Sequence, residues 1–380
     1  MSYLAMPVYN VMIFIVPYFL MFLCINIRNF RFFSLLYVLF YLFAILVFLF
    51  NKPITGGDIL EYFNRYLSQV DYYRLEPLFG LYTEFIKFLG FSPSAYVSIL
   101  SFSCFILQLL TFSYVCKENR LLAFMLLLFN SFALLTWSGI YKNGISIPFL
   151  ILAFYALSNR NVLLSFTSVT IACLFHTSAI IYYPVLIYLS IFKKEVKLEK
   201  VLILICAVSI LISFVFDFHL FKSIIRVLVV DYLKLFIPEA MARPLRYFTA
   251  DVTEFNNSDS VYLLQTSRVS LEIFIQFFVF FFLSKLHLNK NNVVSFWRRA
   301  YILSVFIYSL TIGVAFSYRF YLATSFIFTV YLYFVMIYSS KKLYFMLSLY
   351  LVISYLIFCF YSLPPEKIGL MYLNPLNIGY

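Results

Sequence analysis

The chain has 380 residues, of which 64% are hydrophobic and only 12% charged, and its mean hydropathy is +0.95. Soluble globular domains are about half apolar and a quarter charged, so this composition excludes an ordinary water-soluble domain. The net charge of +12 does not indicate nucleic acid here, because basic cytoplasmic loops and an anionic partner at the membrane both account for it. We predict an all-α, polytopic integral membrane protein that forms one transmembrane domain over residues 1–380.

The hydropathy pattern predicts about twelve transmembrane helices. They cover residues 6–27, 32–50, 95–116, 121–136, 143–158, 161–175, 177–192, 200–217, 265–285, 297–315, 318–339 and 342–362. Segments 161–175 and 177–192 are each short for a crossing, so we expect His176 at a break between two short helices or at the tip of a hairpin.

The short basic loops, such as the one with Arg298 and Arg299, orient the chain because cytoplasmic loops are rich in Lys and Arg. This rule places both termini and two loops, 51–75 and 218–264, on the outer face of the membrane. The orientation requires that residues 76–91 form a re-entrant or interfacial segment instead of a full span.

The first outer loop contains an amphipathic pattern that starts at Asp58. Read as a helix, one face carries Asp58, Glu61, Tyr62 and Arg65, whereas Tyr66 lies on the other face among apolar residues. Such a helix would lie in the outer interface and present two carboxylates and an arginine above the membrane. A structural interpretation stays open, since Asp58 and Glu61 have the spacing of a capping box and Arg65 follows Glu61 at ion-pair spacing.

Ionisable residues collect at or near the outer ends of hydrophobic segments. They are Glu76, Lys142, His176 and Arg319, and loop 218–264 adds Arg243 and Arg246. Any single member can snorkel to the interface or form a structural pair, and a solvated loop or a different orientation would account for the loop charge. Their concentration on one side of the membrane favours a site for an anionic substrate.

A lipid pyrophosphate entering from the outer leaflet would need cationic donors that offset its charge and stabilise it as a leaving group. The candidate donors are Arg65, Lys142, Arg243, Arg246 and Arg319. Glycosyl transfer would also need a base for the attacking hydroxyl, for which the candidates are Asp58, Glu76 and His176. The sequence shows no metal-ligand spacing and no Gly-rich phosphate loop, so we expect neither a metal nor another cofactor.

Three short motifs stand out: Gly57-Asp58 followed by Tyr62, Tyr66 and Glu76-Pro77-Leu78, then Phe175-His176-Thr177-Ser178-Ala179, and finally the segment from Arg319 to Tyr321. Together with the hydropathy pattern they resemble the EpsG-like family of Wzy-type O-antigen and exopolysaccharide polymerases. Where that family usually shows Arg-Gln, this chain has Lys142-Asn143, which keeps a cation but loses the bidentate guanidinium geometry.

The resemblance implies a GT-C-like glycosyltransferase in the bacterial inner membrane, with its active site facing the periplasm. It would transfer a growing glycan from undecaprenyl pyrophosphate onto a new lipid-linked repeat unit, and its partners would include a flippase and a chain-length regulator. The implied roles are Asp58 or His176 as the base or its orienting group, Lys142, Arg246 and Arg319 as pyrophosphate ligands, and Tyr62, Tyr66 and Trp137 along the sugar path.

Two other classes of membrane protein stay open. A flippase for lipid-linked oligosaccharides would also carry about a dozen spans and basic residues for pyrophosphate, although it would not need the long outer loop. An integral-membrane acyltransferase that modifies the glycan would use His176 as its base, but the sequence shows no accompanying nucleophile pattern.

Overall fold

The computed structural model describes residues 57–68, 76–128, 130–192, 197–215, 273–284, 291–311 and 318–362. Every regular element within these ranges is helical, which confirms the all-α prediction. The predicted spans 6–27 and 32–50, and the outer loop 218–264 with Arg243 and Arg246, lie outside the described residues.

The α-helices along the described chain are α1 (Gly57–Leu67), α2 (Pro77–Phe88), α3 (Pro93–Val115), α4 (Arg120–Leu128), α5 (Ser131–Ser138), α6 (Tyr141–Ser158), α7 (Val162–Phe175), α8 (Tyr183–Ile191), α9 (Lys197–Val215), α10 (Ile273–Ser284), α11 (Asn292–Thr311), α12 (Tyr318–Tyr338) and α13 (Lys341–Ser362). Short 3-10 helices cover Lys117–Asn119 and Thr177–Tyr182.

Three of the described helices are long and apolar enough to cross a membrane: Pro93–Val115, Asn292–Leu310 and Phe320–Tyr338. The described chain also contains shorter apolar helices at Val162–Phe175, Thr177–Ile191 and Ile273–Ser284. These helices support a membrane protein, while the number of about twelve spans stays a prediction. Helix α2 has 12 residues and is about 18 Å long, shorter than a hydrocarbon core of about 30 Å, as expected for a re-entrant or interfacial segment.

The predicted span 121–136 is two helices, α4 and α5, because Asn130 caps the second one. The Asn130 side chain accepts a hydrogen bond from the Phe132 N–H at 3.0 Å and donates one to Thr329 Oγ1 at 3.1 Å. Asparagine is a favoured residue at a helix N-terminus, since its side chain pairs an amide that has no helical partner. The apolar run concealed this signal.

The predicted break at His176 is confirmed. Helix α7 ends at Phe175, and His176 has extended backbone with φ −153° and ψ 114°. Its N–H still donates to the Ala172 carbonyl at 2.8 Å, after which the chain continues as a 3-10 helix and then as α8. The imidazole is therefore carried on an extended residue between two short helices.

The chain divides into two compact units, Met1–Ser190 with Thr329–Tyr380 and Ile191–Phe328. In the second unit Arg299 Nε donates to Glu199 Oε1 at 2.7 Å, and the Arg299 Nη2 donates to the Phe192 carbonyl at 2.6 Å. Arg298 and Arg299 were expected in a basic loop, but both lie inside α11 and are only 4% and 2% exposed. The two hydrogen bonds of Arg299 supply the partners that a buried guanidinium requires.

Candidate functional site

Glu76 stands at the start of α2, directly before Pro77. Proline is favoured in the first turn of a helix and disfavours helical backbone in the residue before it. Glu76 accordingly has φ −134° and ψ 63°. Its carbonyl accepts the first helical hydrogen bond from the Gly80 N–H at 3.0 Å, but its side chain does not cap α2. The carboxylate is directed to other parts of the chain.

The Glu76 carboxylate joins side chains from two distant segments. Its Oε2 accepts from Lys142 Nζ at 2.5 Å, and its Oε1 accepts from His176 Nδ1 at 2.6 Å. The Thr177 N–H adds a longer bond to Oε1 at 3.4 Å. The three side chains are only 10%, 14% and 18% exposed for Glu76, Lys142 and His176. We call these three residues the Glu76 cluster.

Lys142 lies in the first turn of α6, where its position is not favoured by its own helix. The N-terminal end of a helix carries partial positive charge, so a cation there is normally destabilising. Two groups on the α2 side offset this effect. One is the Glu76 carboxylate, and the other is the buried ring of Phe79, whose centroid lies 5.4 Å from Lys142 Nζ.

The charges of the cluster define which group can accept a proton. Burial alone would raise the pKa of Glu76, but the hydrogen bonds and charges of His176 and Lys142 outweigh burial and lower the pKa to about 2. The ionised carboxylate can only accept hydrogen bonds, so Nδ1 of His176 must carry the shared hydrogen. In the neutral imidazole the lone pair is then on Nε2, which makes His176 the better proton acceptor of the two.

Two tyrosines of α1 lie inside the helix packing and are each 8% exposed. The Tyr62 ring lies 5.8 Å from the ring of Phe79 and 5.2 Å from that of Tyr141. Phe79 is the ring that faces Lys142 Nζ, and Tyr141 precedes Lys142 in the chain, so Tyr62 packs close to the Glu76 cluster. The Tyr66 ring stacks on Tyr96 at 4.5 Å. The buried face of α1 therefore runs through Tyr62 and Tyr66, and their place along a sugar path stays a prediction.

The remaining predicted residues are described less completely. The backbones of Asp58, Glu61 and Arg319 lie in α1 and α12, but their side chains are outside what the structure describes. Arg65 is half-buried on α1. The structure thus brings together Glu76, Lys142 and His176 from the predicted set.

Gln108 was not among the predicted residues, and it is a fully buried polar residue in the middle of apolar helix α3. Its Nε2 donates to Thr136 Oγ1 at 2.9 Å and to the Gly144 carbonyl at 3.1 Å, and its Oε1 accepts from Trp137 Nε1 at 2.8 Å. Trp137, predicted to line the sugar path, is 1% exposed and packs edge-on against Phe105. A glutamine within a long apolar segment was the available signal, because a buried amide needs partners.

Comparisons with known proteins agree with the motifs. No curated protein and no solved structure matches the chain. The family model of the EpsG family matches residues 34–373, which is nearly the whole chain and includes the entire Glu76 cluster. The resemblance in the short motifs is therefore confirmed, and the chain belongs to the EpsG family of membrane proteins, which is associated with polysaccharide biosynthesis.

Proposed function

We propose that this protein is a polysaccharide polymerase. It joins undecaprenyl-pyrophosphate-linked oligosaccharide repeat units at the periplasmic face of the bacterial inner membrane, with a GT-C-like arrangement of spans. Membership of the EpsG family supports a glycosyltransferase-like polymerase. The observation that carries the proposal is the Glu76 cluster, in which a buried carboxylate orients an imidazole beside a lysine.

In the proposed reaction a hydroxyl of the new repeat unit attacks the anomeric carbon of the chain held on undecaprenyl pyrophosphate. The new glycosidic C–O bond forms while the C–O bond to pyrophosphate breaks, and the hydroxyl proton has to be removed. Nε2 of His176 takes that proton. Glu76 holds the opposite N–H and stabilises the imidazolium that results, as a carboxylate does for a histidine base in general.

Lys142 maintains this arrangement electrostatically. Its ammonium keeps Glu76 ionised and places positive charge near the developing negative charge of the pyrophosphate. Arg65, Arg243, Arg246 and Arg319 are the further candidates for holding the pyrophosphate. We expect the scheme to work without a metal, because the cationic side chains offset the charge of the pyrophosphate leaving group.

The test is the surface polysaccharide of the source bacterium after replacement of the gene by a Glu76→Gln variant. The variant keeps the size of the side chain but removes its charge, so we expect loss of the long polymer ladder with the single-repeat band retained. Glu84→Gln is the matched control on the same helix, because Glu84 is exposed and its ion pair within the described residues is with Lys87, three positions later, at 2.9 Å. This control should give a normal ladder at the same protein level.

Each other result of that experiment has a meaning. A normal ladder from Glu76→Gln would remove the proposed site. Loss of all surface glycan would contradict a polymerase and favour a flippase or an earlier assembly step. An unchanged ladder whose glycan lacks an acyl group by mass would favour the acyltransferase.

A further inference from the structure

Helix α6 contains a proline in its interior, two turns after its start. Pro148 has no N–H, so the carbonyl four residues earlier, that of Gly144, cannot form its usual helical hydrogen bond. Gly144 is buried. A carbonyl without a partner is costly in a buried apolar environment, because no water can replace the lost donor.

Gln108 supplies the missing donor from the neighbouring helix α3. Its Nε2 donates to the Gly144 carbonyl at 3.1 Å, and the rest of the amide is held by Thr136 and Trp137. Each polar atom of the Gln108 side chain therefore has a defined partner, which fixes the orientation of the amide. Pro148 leaves the Gly144 carbonyl without a donor inside α6, and the Gln108 amide takes the place of that donor.

Two further residues of α3 bind the same turn of α6. Ser101 Oγ donates to the Tyr141 hydroxyl at 3.1 Å, and Cys104 Sγ donates to the Tyr141 carbonyl at 3.4 Å. Ser101, Cys104 and Gln108 have the spacing of one helix face, so a single polar stripe of α3 faces the first turn of α6. Lys142 lies within that turn, between Tyr141 and Gly144.

The backbones of the two helices also approach each other closely at this point. A Cβ on Gly144 would lie 2.6 Å from Cys104 Sγ, closer than real atoms approach. The first turn of α6 is thus fixed by direct packing at Gly144 and by the hydrogen bonds from α3 to the Tyr141 and Gly144 carbonyls. A shift of this turn would move Lys142 away from Glu76.

We propose that Gln108 is a positioning residue for Lys142, acting through the Gly144 carbonyl that Pro148 leaves without a helical donor. Its relevance to polymerisation rests on the proposed function, but the placement of Lys142 can be measured without any activity. A role of Gln108 that rests only on its bonds to Thr136 and Trp137 would not depend on Pro148. The positioning role does, because Pro148→Ala restores an N–H to the Gly144 carbonyl from within α6.

The experiment measures how fast each lysine of the purified full-length protein reacts with an amine-specific acylating reagent, resolved by mass spectrometry. Lys142 should react slowly because its side chain is only 14% exposed and paired with Glu76, and the more exposed Lys87 on α2 is the internal reference. Gln108→Met removes the donor at similar volume. We expect it to raise the Lys142 to Lys87 ratio about five- to tenfold, as the loss of one buried hydrogen bond allows.

The rescue is the decisive arm. Adding Pro148→Ala to Gln108→Met should return the ratio to within about twofold of wild type, because the carbonyl regains a donor. An unchanged ratio in Gln108→Met, or no rescue in the double variant, would overturn the positioning role. If Gln108→Met does not accumulate, Gln108→Leu provides the same comparison, since its side chain is also apolar and has no donor for the Gly144 carbonyl.

The two proposals fail in different ways. A rescued labelling ratio together with a normal polymer ladder from Glu76→Gln would leave the positioning of Lys142 intact and reject the polymerase site. A lost ladder from Glu76→Gln together with an unchanged labelling ratio in Gln108→Met would support the polymerase site and reject the positioning of Lys142 by Gln108.

Discussion

Nδ1 of His176 lies 2.6 Å from Oε1 of Glu76, although the two residues are 100 positions apart in the chain. Because the carboxylate is ionised, this bond selects one imidazole tautomer and leaves the Nε2 lone pair for chemistry. Buried ion pairs are often no more stabilising than the apolar groups that could replace them. The proposed reaction would account for a Glu76 cluster between apolar helices.

The tautomer of His176 predicts a specific effect of His176→Asn. The Asn amide can donate to Glu76 in place of Nδ1, but it has no atom that can serve as the base at the position of Nε2. We expect the polymerisation rate in proteoliposomes to fall by about 10²- to 10⁴-fold, the usual contribution of a general base. The thermal unfolding midpoint should stay near that of wild type. A variant that keeps a tenth of the wild-type rate would contradict His176 as the base.

Lys142 is expected to matter for both stability and activity. Lys142→Met leaves the buried Glu76 carboxylate with one partner fewer, and breaking a buried pair costs about 3–5 kcal/mol. Lys142→Arg keeps the charge and should retain more of both properties. The control is Lys87→Met, whose exposed pair with Glu84 contributes at most about 1 kcal/mol. Chemical unfolding and the polymer ladder are the measurements, and equal losses for Lys142→Met and Lys87→Met would exclude a special role of Lys142.

Several features of the site could be predicted from the sequence because they depend on local rules. The break at His176 followed from two apolar segments that are each too short for a span. Glu76, Lys142 and His176 were predicted as site residues from their positions at the ends of hydrophobic segments, but their direct contact was not predicted. An ionisable group in such a place is costly, so its presence indicates a partner or a function.

Other features depend on contacts between distant segments and could not be predicted. The hydrogen bond from Gln108 to Gly144 requires α3 and α6 to be neighbours, which composition does not reveal. The helical pattern of α1 assigned Tyr62 to the polar face, yet its ring is buried because Phe79 and Tyr141 cover it. In an apolar chain the polar side of a helix can face protein as well as water, so amphipathicity alone does not determine burial.

Glu76 should give the protein a defined loss of stability in acid. The pKa of Glu76 is about 2 in the folded protein, below the ordinary glutamate value near 4.3. Between pH about 2 and about 4.3 the unfolded chain therefore binds more protons than the folded protein does. The stabilisation is complete above the ordinary value and disappears as the pH falls towards about 2. The difference in unfolding midpoint between wild type and Glu76→Gln should therefore shrink across this window. A difference that is constant with pH would contradict the ionised, paired carboxylate.

Gly144→Ala tests the close approach of α3 and α6 next to Lys142. The new Cβ would lie 2.6 Å from Cys104 Sγ and 3.2 Å from Thr136 Cβ, so the helices must shift, at a cost of about 1–3 kcal/mol. Adding Cys104→Ala removes the nearest atom and should recover part of the unfolding midpoint.

The comparison is Gly90→Ala, where no atom lies within 4 Å but φ is +75°. That strain should cost about 1–2 kcal/mol and be unaffected by Cys104→Ala, because its cause is backbone conformation and not contact. Equal recovery at both glycines would show that α3 and α6 do not meet at Gly144.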